Sequence, residues 1–340
     1  MNAASNTFSI NGPGLGDCLQ AELKVLASFV TNRDALGRGY NLQFDSPYAL
    51  GKPQDNFLAR SGIKHRLKLF VRGLSSPQMT LDWLALWQNP MLAPLKQSHP
   101  RVLLKLQRPY LQRHFHPEER WQILRQHYSF ALGTFRAAAL QEIFSVPGFL
   151  LADIAVPEVG HFGIRLFYDN LFEKEGELSL MLHDEEKKAP MFAMTFCVSS
   201  NQPGNREIFV GGLQGCALSR NRELVVDVTR GMFGLRPKAA LLFALKQLAY
   251  VWSIPMIRAV SNQNRVQPPN NQPIKANYDQ FWIESSGELD SDSNFSLPTM
   301  DSPRASTEIR RNKRAMYRHR YELLASLGEQ LRQNIARLSA

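Results

Sequence analysis

Between Gly163 and Val260 the chain reads as strand-length runs followed by helices and a further strand, and this order constrains the fold more than any other feature. Gly163–Tyr168 has the length and composition of a strand. Glu177-Leu178-Ser179-Leu180-Met181-Leu182 alternates with period two, and His183-Asp184-Glu185-Glu186-Lys187-Lys188 follows as a charged turn. Pro190–Val198 is a second run, so the two predict a hairpin with a loop longer than two residues. Glu207–Leu213 supplies a third run and ends in the glycine-rich turn Gly211-Gly212-Leu213-Gln214-Gly215. Helical patterns over Arg222–Phe233 and Lys238–Trp252 come next, interrupted by Gly234-Leu235-Arg236-Pro237, and then a strand over Pro255–Val260. Strands, a helix pair and a strand predict an α+β unit built on a mixed sheet with flanking helices.

The flanks differ in style. Residues 1–16 are polar and rich in Gly and Pro, and Leu19, Leu23, Leu26 and Val30 recur at helical spacing. Thr80 precedes a short helical run to Trp87 as its N-cap. His116-Pro117-Glu118-Glu119 opens a helix, with proline in the first turn and acids at its positive end. Trp121, Leu124, Tyr128 and Ala131 share one face of that helix. The chain thus divides into a mainly helical region over 1–150, a mixed α/β unit over 151–290, and a tail over 291–340. Within and before the tail, Glu284–Ser306 predicts a mobile acidic connector, residues 267–274 a loop, and Tyr317, Tyr321, Leu324, Leu331, Ile335 and Leu338 a C-terminal amphipathic helix.

Charge narrows the class of partner. Of 340 residues, 40 are Lys or Arg and 30 are Asp or Glu, a net charge of +10. The excess sits in two places. Arg101–Arg136 carries seven bases against two glutamates, net +5, and Arg304–Ala340 nine against three, net +6. An anionic partner follows: a membrane surface, an envelope protein, or nucleic acid as the weakest option, since no zinc-finger or recognition-helix pattern is present. An apolar fraction of 44% supports a sizeable core and excludes a largely disordered chain. Cys18, Cys197 and Cys216 are widely spaced and contain no CxxC, which argues against zinc and disulfide frameworks and suits a reducing compartment. No secretory signal opens the chain, so a cytoplasmic location, peripheral to the inner membrane, is expected.

Candidate chemistry concentrates on two turns. Gly234-Leu235-Arg236-Pro237-Lys238 starts an apolar helix, where free N–H groups and the helix dipole attract phosphate; a helix corner with two solvated bases is the alternative. The turn ending at Gln214 and Gly215 allows a ligand close to the backbone, or is a bulge. Cys216 has no nameable base; His114, His116 and His127 lack ligand spacing; Glu173, Glu175 and Glu177 alternate as an exposed strand face would.

Several stretches, taken in order, resemble the VirK/YbjX family of bacterial virulence-associated proteins. They include Arg108-Pro109-Tyr110-Leu111, Phe172-Glu173-Lys174-Glu175-Gly176-Glu177-Leu178, Val210-Gly211-Gly212-Leu213-Gln214-Gly215, Gly234-Leu235-Arg236-Pro237-Lys238, Tyr278-Asp279-Gln280-Phe281-Trp282 and Lys313-Arg314-Ala315-Met316-Tyr317-Arg318. The resemblance implies a link to virulence, antimicrobial-peptide tolerance and envelope homeostasis in Gram-negative bacteria. Phe233 and Arg265 stand where that family often has histidine.

A second resemblance, over residues 160–285, is to the GCN5-related acyltransferases, although the phosphate-turn signature is imperfect and an extra helix follows Gln214. It implies acyl-CoA as cofactor, with Gln214, Gly215, Gly234, Leu235, Arg236, Lys238 and Asn262 as cofactor-binding residues. Tyr278 lines the acyl site with Asn262 and is grouped with Glu177, the general base, as the catalytic pair. The competing expectation is a non-catalytic regulator or scaffold at the inner membrane surface, working through the basic segments.

Overall fold

The computed structural model describes residues 76–202, 204–266, 277–305 and 307–339. The expected helix at Leu19–Val30, Cys18, the polar N-terminus and the loop at 267–274 lie outside them.

The helical layer comes first. Helices α1 (Pro77–Leu86), α2 (Ala93–Ser98), α3 (Pro117–Thr134) and α4 (Ala137–Ile143) are short except for α3. Pro77 occupies the first turn of α1, where its missing N–H costs nothing. Thr80 therefore lies inside the helix and bonds back to Ser76 O (3.0 Å), so it is not the N-cap expected from the sequence. The start of α3 is closed by Glu119, whose carboxylate accepts from His116 N–H (2.7 Å). Leu124, Tyr128 and Ala131 of α3 are buried. Tyr128 meets Trp87 edge-on with ring centroids 5.0 Å apart, and Trp83 packs against Trp87 and Trp121 in the same way.

The sheet begins earlier than the sequence suggests. Among the described residues it has eight strands: β1 (Phe149–Val156), β2 (Gly160–Phe167), β3 (Leu178–Asp184), β4 (Ala189–Gln202), β5 (Asn205–Gly215), β6 (Met256–Ala259), β7 (Glu288–Leu289) and β8 (Phe295–Leu297). Their spatial order is β1-β2-β3-β4-β5-β6-β8-β7. The first five strands are antiparallel neighbours, β5 and β6 are parallel, and β8 runs antiparallel to both β6 and β7. The parallel step needs a long crossover, which α5 (Arg222–Gly231) and α6 (Pro237–Val251) provide. A short helix, α7 (Tyr278–Glu284), follows β6, and α8 (Arg314–Ala336) ends the described fold.

Packing explains these elements. β3 is buried at every residue, so the sheet is covered on both faces there. α3 lies on β4, α6 on β3 and β4, and α8 on β1 and α6. One apolar cluster runs from Trp83 to Leu338, joining the helical layer, the sheet and the C-terminal helix.

Two expectations are corrected. Glu284–Ser306 is not simply an acidic connector: it contributes β7 and β8, and Asn294 is completely buried. Glu173, Glu175 and Glu177 do not lie along an exposed strand. They form the turn before β3, and the carboxylates of Glu173 and Glu177 are buried.

Candidate functional site

The parallel pair β5–β6 is short. It is registered from Glu207/Met256 to Val210/Ala259 and closes with Val260 N–H donating to Val210 O (2.8 Å). β5 then continues to Gly215 paired with β4 only, so β5 and β6 part and leave a notch. A bulge sits at its mouth: Phe196 pairs with Val210 and Thr195 with Gly212, which leaves Gly211 as the extra residue.

Three segments meet in the notch. Residues Tyr110–Arg113 cross it, with Leu111 N–H donating to Lys174 O (2.7 Å) and Arg113 N–H to Asn264 O (2.9 Å). Leu111 is held at φ 61° and is fully buried. From the other side comes the Glu173–Glu177 turn. A Cβ on Gly211 would collide with the carbonyl of Glu175, and one on Gly212 with its carboxylate. The glycine pair is therefore required by the chain's own turn. The third segment is α7, whose Tyr278 hydroxyl accepts from Leu213 N–H (3.0 Å) and from Gln214 Nε2 (2.8 Å).

Glu175 is the chemically open group here. Its Oε1 accepts from Gln214 Nε2 (2.8 Å), while its Oε2 is enclosed and has no hydrogen-bond partner among the described residues. Burial disfavours the charged form and pushes its pKa up to about 7, against the opposing pull of the Gln214 hydrogen bond and Arg265. Arg265 lies over the Tyr278 ring, 5.2 Å from its centroid. Burial and the nearby Glu175 charge raise the Tyr278 hydroxyl well above the usual phenol range. Asp169 is pushed up to about 6 by burial.

Of the residues singled out from the sequence, Gln214, Asn262 and Tyr278 come together. Asn262 holds the start of α7: its N–H donates to Asp279 Oδ1 (2.7 Å), its Oδ1 accepts from Tyr278 N–H (3.0 Å), and its Nδ2 reaches Asn277 Oδ1 (2.8 Å). Arg236 joins the opposite end of α7, pairing with Glu284 at 2.9 Å in an exposed position. Gly215 and Lys238 flank Phe192; the ammonium of Lys238 is 5.5 Å from that ring's centroid, and partial burial lowers its pKa. Gly234 closes α5 at φ 76°, its N–H donating to Thr229 O (2.7 Å). The guanidinium of Arg320 covers it and donates to Phe233 O (2.9 Å). Leu235 is a core residue. The start of α6 thus gathers Arg236, Lys238 and Arg320, three cations suited to phosphate oxygens.

Glu177 lies elsewhere, sealed in the core. Lys105 Nζ pairs with its Oε1 at 2.7 Å, both side chains being at most 2% exposed, and Tyr128 donates to its Oε2 at 2.5 Å. Cys197 and Cys216 are buried free thiols, and burial pushes Cys216 up to about 12. His127 is buried and pushed down to about 3, so it stays neutral and its Nδ1 accepts from Val198 N–H (3.1 Å). Arg265 was marked only as a departure from the family's histidine, Glu175 only as one of three alternating acids, and Arg320 only as one base in the C-terminal run. The doublet Gly211-Gly212 is a trace of the Glu175 turn, because a mid-strand glycine pair demands a close neighbour.

A family described as "Protein of unknown function (DUF535)" matches residues 59–333. The chain belongs to this family. It is 28% identical over 274 residues to "Uncharacterized protein YbjX" of Escherichia coli (strain K12), covering 78% of this chain and 82% of that one. This supports the VirK/YbjX resemblance carried by the turns above. Two proteins of Haemophilus influenzae, each called "Uncharacterized protein", are 26% and 24% identical over 160 and 163 residues, spanning 47% of this chain and 53% of theirs.

Proposed function

We propose that the chain is an acyl-CoA-dependent acyltransferase whose acyl group enters the notch between β5 and β6. One observation carries the reading: the strands part beside a carboxylate with an unclaimed oxygen, next to a helix start ringed by cations. The cofactor would supply an activated thioester. Lys238, Arg236 and Arg320 would hold its phosphates, and the acyl chain would take the place of the Leu111 side chain. Glu175 rather than Glu177 is then the base, because both oxygens of Glu177 are committed to Lys105 and Tyr128. A carboxyl with a pKa near 7 is partly ionised at neutral pH, and can take the proton of an amine or hydroxyl as that group bonds to the acyl carbon. Gln214 and Tyr278 orient it.

Isothermal titration with acetyl-CoA and longer acyl-CoAs tests this. Saturable heat is expected with at least one of them, weakened about tenfold or more in Lys238→Ala, the usual scale for a lost charge-assisted contact. Absence of heat with every chain length would sink the reading.

A second reading rests on a separate observation. Arg310, Arg311, Lys313, Arg314 and Arg318 are exposed at the start of α8, beside a groove of about 450 Å³ floored by Ile309, Tyr317 and Tyr321. Bases around aromatic side chains suit an anionic membrane surface. Among the described residues no helix is long and apolar enough to cross a membrane.

A further inference from the structure

At the far end of the β4–β5 hairpin from the notch, a cleft of about 690 Å³ opens between α3, the hairpin and the corner joining α6 to β6. Its size is that of a small-molecule site. Helix α3 turns a polar stripe toward it: Gln122, Arg125, Gln126 and Ser129 recur at helical spacing along one wall. Ser200 and Arg206 line the hairpin side, and Ser253 the corner. Phe130 and Trp252 also border it, their ring centroids 5.1 Å apart in an edge-to-face contact.

The walls are fixed. β4 outruns β3, whose pairing with it ends at Phe196, so the N–H groups of Val198 and Ser200 lose their strand partner. Helix α3 supplies replacements: His127 Nδ1 accepts from Val198 N–H (3.1 Å), and Gln126 Oε1 from Ser200 N–H (2.9 Å). Ser200 Oγ donates to Asn205 O (2.9 Å), locking the hairpin. Ser253 is held at φ 52°, in the conformation that usually selects glycine after a helix, and this places a hydroxyl on the rim.

The charge of this cleft is one-sided. Among the described residues no Asp or Glu lines it. Arg125 forms no ion pair or hydrogen bond among the described residues, and the guanidinium of Arg206 is engaged by the Phe130 ring, 5.5 Å from its centroid. Glu207, which follows Arg206 in the strand, is buried behind Ser199, from which its Oε1 accepts (3.0 Å). Arg125 and Arg206, with the hydroxyls of Ser129 and Ser253 and the side-chain amides of Gln122 and Gln126 on the walls around them, form a donor-rich set over an apolar base. Such a set matches phosphate oxygens better than a planar carboxylate, because hydroxyl and amide donors converge from several directions.

We propose that this cleft binds a phosphate-bearing small molecule, with Arg125 and Arg206 as the charged ligands from its two walls. The site is independent of the notch and does not require acyl transfer.

The test is isothermal titration of the full chain with three probes: inorganic phosphate, AMP and glucose 6-phosphate. Saturable binding of at least one probe is expected, weakened about tenfold or more by Arg125→Ala and by Arg206→Ala, as for other charge-assisted contacts. Arg220→Ala, on the loop before α5, should bind as the parent does. Circular dichroism of each variant establishes that the fold is kept; both arginines are exposed, so it should be. Lack of saturable binding by all three probes, or binding that survives the double Arg125→Ala, Arg206→Ala change, overturns the proposal. A failure of acyl-CoA to bind leaves it standing, because none of its residues touches the notch.

Discussion

Glu175 is held by its own backbone as much as by partners. The turn that carries it presses against Gly211 and Gly212, so its carboxylate can approach the strand only because no Cβ intervenes. The raised pKa has a consequence for stability. A carboxyl that titrates near 4.5 when unfolded and near 7 when folded binds its proton more tightly in the native state. Its contribution to stability is therefore complete below about pH 4.5 and is lost as pH rises through about 7. Asp169 acts in the same sense, its pKa moving from 3.8 to about 6. His99 and His127 oppose both: burial pushes them down to about 4 and about 3, so their contribution is present above pH 6.5 and lost as pH falls through those values. Glu175→Gln isolates this carboxyl's share, since the amide mimics the protonated acid. Urea unfolding of parent and variant across pH 4 to 8 should give a stability difference that moves against the parent as pH rises. A difference that stays flat across that range would show that Glu175 is not titrating there.

Among the elements, those with a local signature were legible and those defined by a distant partner were not. The β3–β4 hairpin, α3 and α6 could be read because alternation or helical spacing is written along each segment. β1 was hidden: Phe130–Leu151 is one apolar run in the sequence, yet it contains the end of α3, all of α4 and the first residues of β1. β7 and β8 were hidden because strands of two and three residues among Ser and Asp are fixed by pairing, not propensity. The site was legible in part. Gln214 and Tyr278 do meet, but the role given to Glu177 ignored a partner 72 residues away. That partner, Lys105, ties the helical layer to the turn before β3: Lys105 Nζ also donates to Gly176 O (3.2 Å). Removing one member of a buried pair strands the other, at a cost of about 3–5 kcal/mol, whereas removing both together costs far less. Lys105→Met should accordingly lower the urea midpoint sharply, and adding Glu177→Leu should recover much of the loss. Equal damage from the single and double changes would mean that packing, not the stranded charge, dominates.

For the molecule as a whole, the net charge of +10 is not a uniform field. The first basic segment is partly turned inward. Arg101 and Arg108 share Glu173 (3.1 and 2.8 Å), and Lys105 holds Glu177, so three of its seven bases are set against two carboxylates at the turn before β3. The second segment keeps its charge outside. At the start of α8, Arg310, Arg311, Lys313, Arg314 and Arg318 are exposed, while the far half of the helix buries Leu327, Leu331 and Ile335 against the core. One end of the helix is thus anchored and the other carries an unbalanced patch. An anionic surface should attract that patch with a strength that falls as salt shortens the screening length from about 10 Å at 0.1 M to about 3 Å at 1 M. Flotation with vesicles containing phosphatidylglycerol should recover the chain at low salt and release it at high salt. Vesicles of phosphatidylcholine alone should recover little at either. Replacing Arg310, Arg311 and Lys313 together with glutamine should abolish the low-salt recovery, since all three are exposed and none contributes to the core. Replacing Arg101 and Arg108 should leave the chain that still folds bound as before, because their charge already faces Glu173. Recovery that is equal on neutral vesicles, or that follows Arg101 and Arg108 instead, would remove the membrane from consideration as the partner of this face.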